Sequence, residues 1–234
     1  MVYFYCIFLL FVFFLSAKCT GRCWKPHEST TKGTPLNTFV AYQIVSGACT
    51  LYTAGLGWYG TFYDYGTTND DRLYGRSDTA LLLGEVMTAY QMWNLVVCCL
   101  FVKEYCTVNF IVHHFTTMLL SSTVLHPYVN HYALFYIGIA ETSSIPLTVM
   151  DNIKFLKLGY PRLLSLARGT FGALFFALRV VAWTYVNVYF WYDHIVNRHR
   201  IHSVPVVALF LVSNVGLTGL QYYWGYLIGR RLVK

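Results

Sequence analysis

Charge is scarce in this chain. Asp, Glu, Lys and Arg together make up 12% of its 234 residues, about half the share of an ordinary soluble domain. So few ionisable groups cannot coat a water-exposed surface, which excludes a soluble enzyme, and the apolar content excludes a disordered tail. The seven cysteines are scattered, and no Cys/His spacing matches a zinc-ligand pattern, so neither a disulfide mini-protein nor a zinc module is in view. No Asn-x-Ser/Thr sequon, no internal repeat and no low-complexity segment occurs.

What the chain has instead is apolar length. Hydrophobic residues make up 56% of it, and its mean hydropathy is +0.48. Apolar runs fall at 2–17, 36–57, 79–102, 107–126, 129–150, 169–193 and 203–229. At about 20 residues per bilayer crossing, these predict an all-α polytopic membrane protein of about seven helices. The 20 Tyr and 6 Trp suit the two headgroup belts.

The first run would be a helix of about 24 Å, short of a ~30 Å hydrocarbon core and close to a signal-peptide core with Ser16-Ala17 as a cleavage site. No Lys or Arg precedes it, so the basic leader of a signal peptide is missing. With seven crossings, one side carries Lys18, Arg22, Lys25, Lys32, Lys103, Lys154, Lys157, Arg162, Arg168, Arg230, Arg231 and Lys234. The other carries Arg72, Arg76, Arg198 and Arg200. This bias predicts an uncleaved anchor with the N-terminus outside and the C-terminus in the cytosol. It also accounts for the net charge of +7 without a nucleic-acid partner. Cys98 and Cys99 read as small apolar packing residues, whereas Cys19, Cys23 and Cys106 lie near the cytosolic edge, where acylation is feasible.

Ionisable groups at membrane depth are costly and must face protein or water. At 1.5 Å per residue, His113 and His114 lie ~9–10 Å from the cytosolic end, Asn94 ~12 Å, Glu141 ~14 Å and Arg179 ~15 Å. Four helices thus bring polar groups to one level. Asn109, His113, Thr117 and Ser121 form one stripe, and Gln91, Asn94 and Cys98 another. Glu141, Ser144 and Thr148 recur likewise, as do Asn214, Thr218 and Gln221. Such Ser, Thr and Gln positions serve first as interhelical glue. Glu141 and Arg179 are expected to pair. Pro146 lacks an N–H for the Thr142 carbonyl, so its helix is expected to bend one turn after Glu141 and to border a pocket open toward the cytosolic half. Glu85 lies near the other face, in reach of water.

Four motifs resemble those of a known family. They are Val112-His113-His114-Phe115, Glu141-Thr142-Ser143-Ser144-Ile145-Pro146, Phe176-Ala177-Leu178-Arg179 and Leu220-Gln221-Tyr222-Tyr223-Trp224. Together they resemble the TLC domain shared by ceramide synthases, translocating-chain-associating membrane proteins and a neuronal ceroid-lipofuscinosis protein. The resemblance covers 36–230, with 1–35 as an anchor helix and basic loop and 231–234 as a basic tail. It implies a six-helix barrel around a lipid or acyl cavity, plus one N-terminal helix, in the endoplasmic reticulum. Many members carry aspartate where this chain has Asn94. The His-Asp-x-x-Asp element of ceramide synthases would fall near Ala140-Glu141-Thr142-Ser143-Ser144, which lacks it, so the branch with a TLC domain alone fits better.

Two functions remain open at this point. One is acyl transfer to a lipid acceptor, with acyl-CoA as co-substrate and no covalently bound cofactor or metal. His113, His114 and Glu141 would then be catalytic, with His113 reacting and Glu141 orienting an imidazole. Asn94, Arg179, Thr117, Ser144 and Asn214 would contact the substrate. The other is a non-catalytic lipid-binding regulator or cargo adaptor using the same cavity. A di-iron desaturase is rejected, because His113 and His114 point about 100° apart on a helix and His194, His199 and His202 lie at the opposite face. A seven-helix receptor is disfavoured, because Val102-Lys103-Glu104-Tyr105 carries no Asp-Arg-Tyr-like switch and the last helix has no Asn-Pro-x-x-Tyr element. The charge bias makes the topology testable: in sealed microsomes a tag after Lys234 should be digested by added protease and one before Met1 protected. Protection of the C-terminal tag, or a mature N-terminus near Lys18, would contradict it.

Overall fold

The computed structural model describes residues 1–22, 28–30, 32–64, 66–125, 128–200 and 203–232; Cys23, Lys25, His202 and Lys234 lie outside them. Among the described residues the regular elements are helices, and strand pairing is confined to one isolated bridge between Ser29 and Pro35. The helices are α1 (Val2–Thr20), α2 (Leu36–Tyr63), α3 (Asn69–Tyr74), α4 (Asp78–Leu100) and α5 (Val108–Thr123). They continue with α6 (Asn130–Phe155), α7 (Pro161–Val196) and α8 (Val204–Leu232). Each apolar run of the sequence forms one of them, so the expected all-α polytopic fold holds. Six are long and apolar enough to cross a membrane, and α5, with 16 residues, is shorter.

Local chemistry sets the boundaries. Ser77 and Thr107 cap α4 and α5 by accepting from the backbone N–H groups of Ala80 and Phe110 at 3.0 and 3.3 Å. Pro161 opens α7 in the first helical turn, where its missing N–H costs nothing. This start precedes the apolar run at 169, because Arg162 and Arg168 interrupt the hydropathy but not the helix. The short α3, capped by Thr68, has too few residues to show a period in sequence.

Helices α2, α4, α5, α8, α7 and α6, in that order, contact one another around a closed ring. Helix α1 stands outside it against α2 and α4, held by the buried Phe13, whose ring meets Trp93 edge-on at 6.1 Å. At one end of the ring the first turns of α6 also pack on α4 and narrow the bundle. Tighter closure comes from Arg72 on α3 and Asp193 on α7. Arg72 Nε and Nη2 each lie 2.8 Å from an Asp193 oxygen, and Tyr132 donates to the same carboxylate at 2.5 Å. Asp193 is fully buried, and hydrogen bonding to it raises the Arg72 pKa above its ordinary value. A carboxylate so enclosed is tolerable because each of its oxygens has a donor.

The other end carries the Lys- and Arg-rich loops. There the buried Glu104 accepts hydrogen bonds from the hydroxyls of Thr30 and Thr34, clasping the α1–α2 connection to the α4–α5 loop. Lys32 Nζ adds a bond to the Glu104 carbonyl at 3.2 Å.

Helix α6 differs from expectation in where it deforms. It is π-helical over Leu134–Gly138 and 3₁₀ over Ile139–Ser143, and resumes α geometry at Ser144. The irregular stretch therefore contains Glu141 and ends before Pro146, rather than following Glu141. Pro146 loosens the preceding turn by withdrawing its N–H and crowding the Thr142 carbonyl. Gly138 adds a second cause: it meets Gly57 of α2 so closely that a Cβ on Gly138 would lie 2.5 Å from Gly57 Cα. Helix α7 carries its own π segment, Phe175–Ala182, around Arg179.

Candidate functional site

The ring encloses a cavity of about 530 Å³ at its basic end, bordered by all six of its helices. The sequence placed polar groups of four helices at one level, and the structure brings them to this wall. His113, His114, Asn94, Glu141, Ser144 and Arg179 all line it.

The two histidines are held differently. His114 Nδ1 bonds to Gln91 Oε1 and lies 3.3 Å from Asn94 Nδ2, while its ring lies tilted by 36° against Phe110 at 3.8 Å. Asn94 is itself oriented, its Oδ1 accepting from Tyr42 Oη at 3.0 Å and from Cys98 Sγ at 3.2 Å. With Nδ1–H donating to Gln91, the lone pair of the neutral imidazole resides on Nε2. His113 sits edge-on to Trp224 at 5.4 Å, and its buried Nδ1 has no hydrogen-bond partner.

Glu141 and Arg179 form the expected pair, Nη2 to Oε1 at 3.0 Å, with side chains 19% and 8% exposed. Arg179 also donates to Ser143 Oγ at 2.7 Å and Ser144 Oγ at 3.2 Å. The deformed turns of α6 supply two of the three acceptors and the residue after them, Ser144, the third, so the helix irregularity and the ion pair are one feature. Glu141 thus bonds to Arg179 rather than to an imidazole, and Gln91 does the orienting expected of it.

Thr117 and Asn214 lie elsewhere. Both line a smaller chamber of about 60 Å³ deeper in the ring, which shares His113, Glu141 and Arg179 with the main cavity. Thr117 Oγ1 donates to the His113 carbonyl of its own helix at 2.9 Å. Asn214 accepts from Trp191 Nε1 at 3.0 Å and donates to Asn187 Oδ1 at 2.9 Å and Tyr136 Oη at 3.3 Å. Asn214 is therefore the interhelical glue that such residues often provide.

Residues of α2 that sequence reasoning missed complete the wall. Ser46 shares a hydrogen bond with Tyr90 Oη at 2.7 Å. Gln43 donates to Tyr105 Oη at 2.8 Å, and Tyr105 donates to Asp151 at 2.7 Å. Their signal was available: Gln43, Ser46, Thr50 and Thr53 recur at three- and four-residue spacing and are all buried. Arg231 sets a positive charge at the cavity wall. Among the described residues, no cluster of His, Cys, Asp and Glu converges as metal ligands.

Chemically, this is an apolar-walled space with an oriented neutral imidazole, a tethered guanidinium and several hydroxyls. It can accept a proton at His114 Nε2 and hold an amphipathic molecule with its polar end toward the basic loops. Compared with known proteins, residues 38–230 match the model of a family described as the TLC domain. Neither a curated protein nor a solved structure matches the chain.

Removing either member of the Glu141–Arg179 pair leaves a charge in a site of low polarity, at a cost of about 3–5 kcal/mol. Thermal unfolding in detergent should therefore place Glu141→Gln and Arg179→Gln well below wild type, with the double variant losing less than the sum of the two. Strictly additive losses would show that the two charges do not support each other.

Proposed function

The chain belongs to the TLC-domain family, and from that premise we propose that it transfers an acyl group to a lipid acceptor within its barrel, with His114 as general base. It is a multi-pass membrane protein of a family linked to lipid metabolism. The observation that carries the finer reading is the His114 imidazole, oriented through Nδ1 by Gln91 beside a cavity of about 530 Å³. A base held by a second group is the arrangement that acyl transfer needs. His113 has no such partner at Nδ1, so the role moves from His113 to its neighbour.

In this reading, His114 Nε2 takes the proton of the acceptor's amine or hydroxyl as that atom attacks the thioester carbonyl of acyl-CoA. The C–S bond breaks as the new C–N or C–O bond forms, and the imidazolium returns the proton to the departing thiolate. The positive bias of the loops supports a cavity mouth facing the cytosol and a lumenal N-terminus, and family membership supports the endoplasmic reticulum as the membrane. Arg231 is then placed to meet phosphate groups of the donor. A second reading, a non-catalytic lipid-binding regulator, is favoured by one observation: Glu141 is neutralised by Arg179, so neither imidazole has a carboxylate to stabilise its protonated form.

Lipid profiling of deleted cells separates the two. His114→Asn should reach normal abundance yet lose roughly 10²–10⁴-fold in rate, leaving the lipid profile of the deletion. His114→Asn restoring the wild-type profile would remove the catalytic role and leave the regulator.

A further inference from the structure

Beyond the Glu141–Arg179 pair, the small inner chamber poses a problem in hydrogen bonding. Its wall is mostly apolar, with Leu120, Val124, Ile137, Phe210 and Leu217 among its residues. Gln221 of α8 also lines it, 1% exposed, and neither Nε2 nor Oε1 has a partner. His113 Nδ1, likewise buried and unpartnered, belongs to the same wall. A buried amide with both ends unsatisfied is rare in a folded protein and more costly in an apolar setting. The other polar residues of the wall offer no relief, since Asn214 and Thr117 bond within the bundle and Glu141 bonds to Arg179.

We infer that this chamber binds a hydroxyl carried on the hydrocarbon chain of the lipid, with Gln221 and His113 Nδ1 as its hydrogen-bonding partners. The inference rests on the reading of the barrel as an acyl-lipid site and names the substrate class: a hydroxylated chain rather than a plain one.

The donor and acceptor inventory selects a hydroxyl. Gln221 Nε2 donates and Oε1 accepts, while a neutral His113 bearing its proton on Nε2 accepts at Nδ1. An alcohol oxygen accepts from Gln221 Nε2 while its O–H donates to His113 Nδ1, so one group answers both side chains. A ketone takes the amide proton and leaves both acceptors empty. A carboxylate brings a second negative charge beside Glu141, whose guanidinium is already engaged. The volume of about 60 Å³ exceeds the ~10–15 Å³ that one water needs, so a short stretch of chain bearing the hydroxyl fits. The chamber adjoins the main cavity at His113, Glu141 and Arg179, so in this inference the far part of the chain passes these three residues while its polar end stays at the mouth.

The test uses the purified full-length chain in detergent, with stearate and its monohydroxy isomers, hydroxylated at successive positions, as competing probes read by native mass spectrometry. At least one isomer should bind about tenfold more tightly than stearate, the preference depending on hydroxyl position. Gln221→Leu, close in size and unable to hydrogen-bond, should abolish that preference while retaining stearate. Equal binding of all probes by wild type overturns the inference and leaves the acyl-site reading intact. Failure of every probe to bind overturns both. A preference that survives in Gln221→Leu also overturns it, and if that variant does not fold, the wild-type selectivity decides alone.

Discussion

A polar group inside a bilayer has no water to turn to, and this constraint organises the whole molecule. Its sharpest instance is the Glu141–Arg179 pair. To place Ser143, Ser144 and Glu141 around one guanidinium, α6 leaves α geometry over Leu134–Ser143, and α7 does the same over Phe175–Ala182. The close contact of Gly57 with Gly138 seats the deformed helix against α2. Bond, helix distortion and glycine contact depend on one another.

The remaining polar residues follow the same rule in separate networks, and where these lie gives the barrel its polarity. At the narrow end Arg72, Asp193 and Tyr132 bond to one another, which closes the ring. In the middle Trp191, Asn214, Asn187 and Tyr136 join α6, α7 and α8. Toward the basic end Tyr42, Asn94, His114 and Gln91 border empty space instead of filling it. A network that both satisfies itself and faces a cavity can do work on a guest. The proposed lipid site is thus where the polar groups are incompletely enclosed.

Much of this is legible in the sequence, because two regularities are strict. Hydropathy marks the crossings, and the 1.5 Å rise converts residue number into depth, so the levels of His113, His114, Asn94, Glu141 and Arg179 follow from counting. The pairing of Glu141 with Arg179 follows from depth and charge together. What counting cannot supply is which neighbour a helix face meets. Thr117 shares a stripe with His113 and Asn214 lies on a helix that borders the site, yet both face the inner chamber, and the partner of His114 is Gln91 rather than Glu141. The Gly57–Gly138 contact leaves no trace in hydropathy, so the deformation was expected after Glu141 instead of around it. Helix α3 is too short for periodicity, and Arg162 and Arg168 concealed the first turns of α7.

The central claim is that the space inside the ring holds an acyl lipid. The most direct measurement is the lipid that stays with the wild-type chain through detergent extraction and purification, quantified against the bulk membrane by mass spectrometry. The account predicts near-stoichiometric retention of one acyl class, enriched far above its membrane abundance. Retained lipid that mirrors the bulk membrane, or none at all, would contradict it.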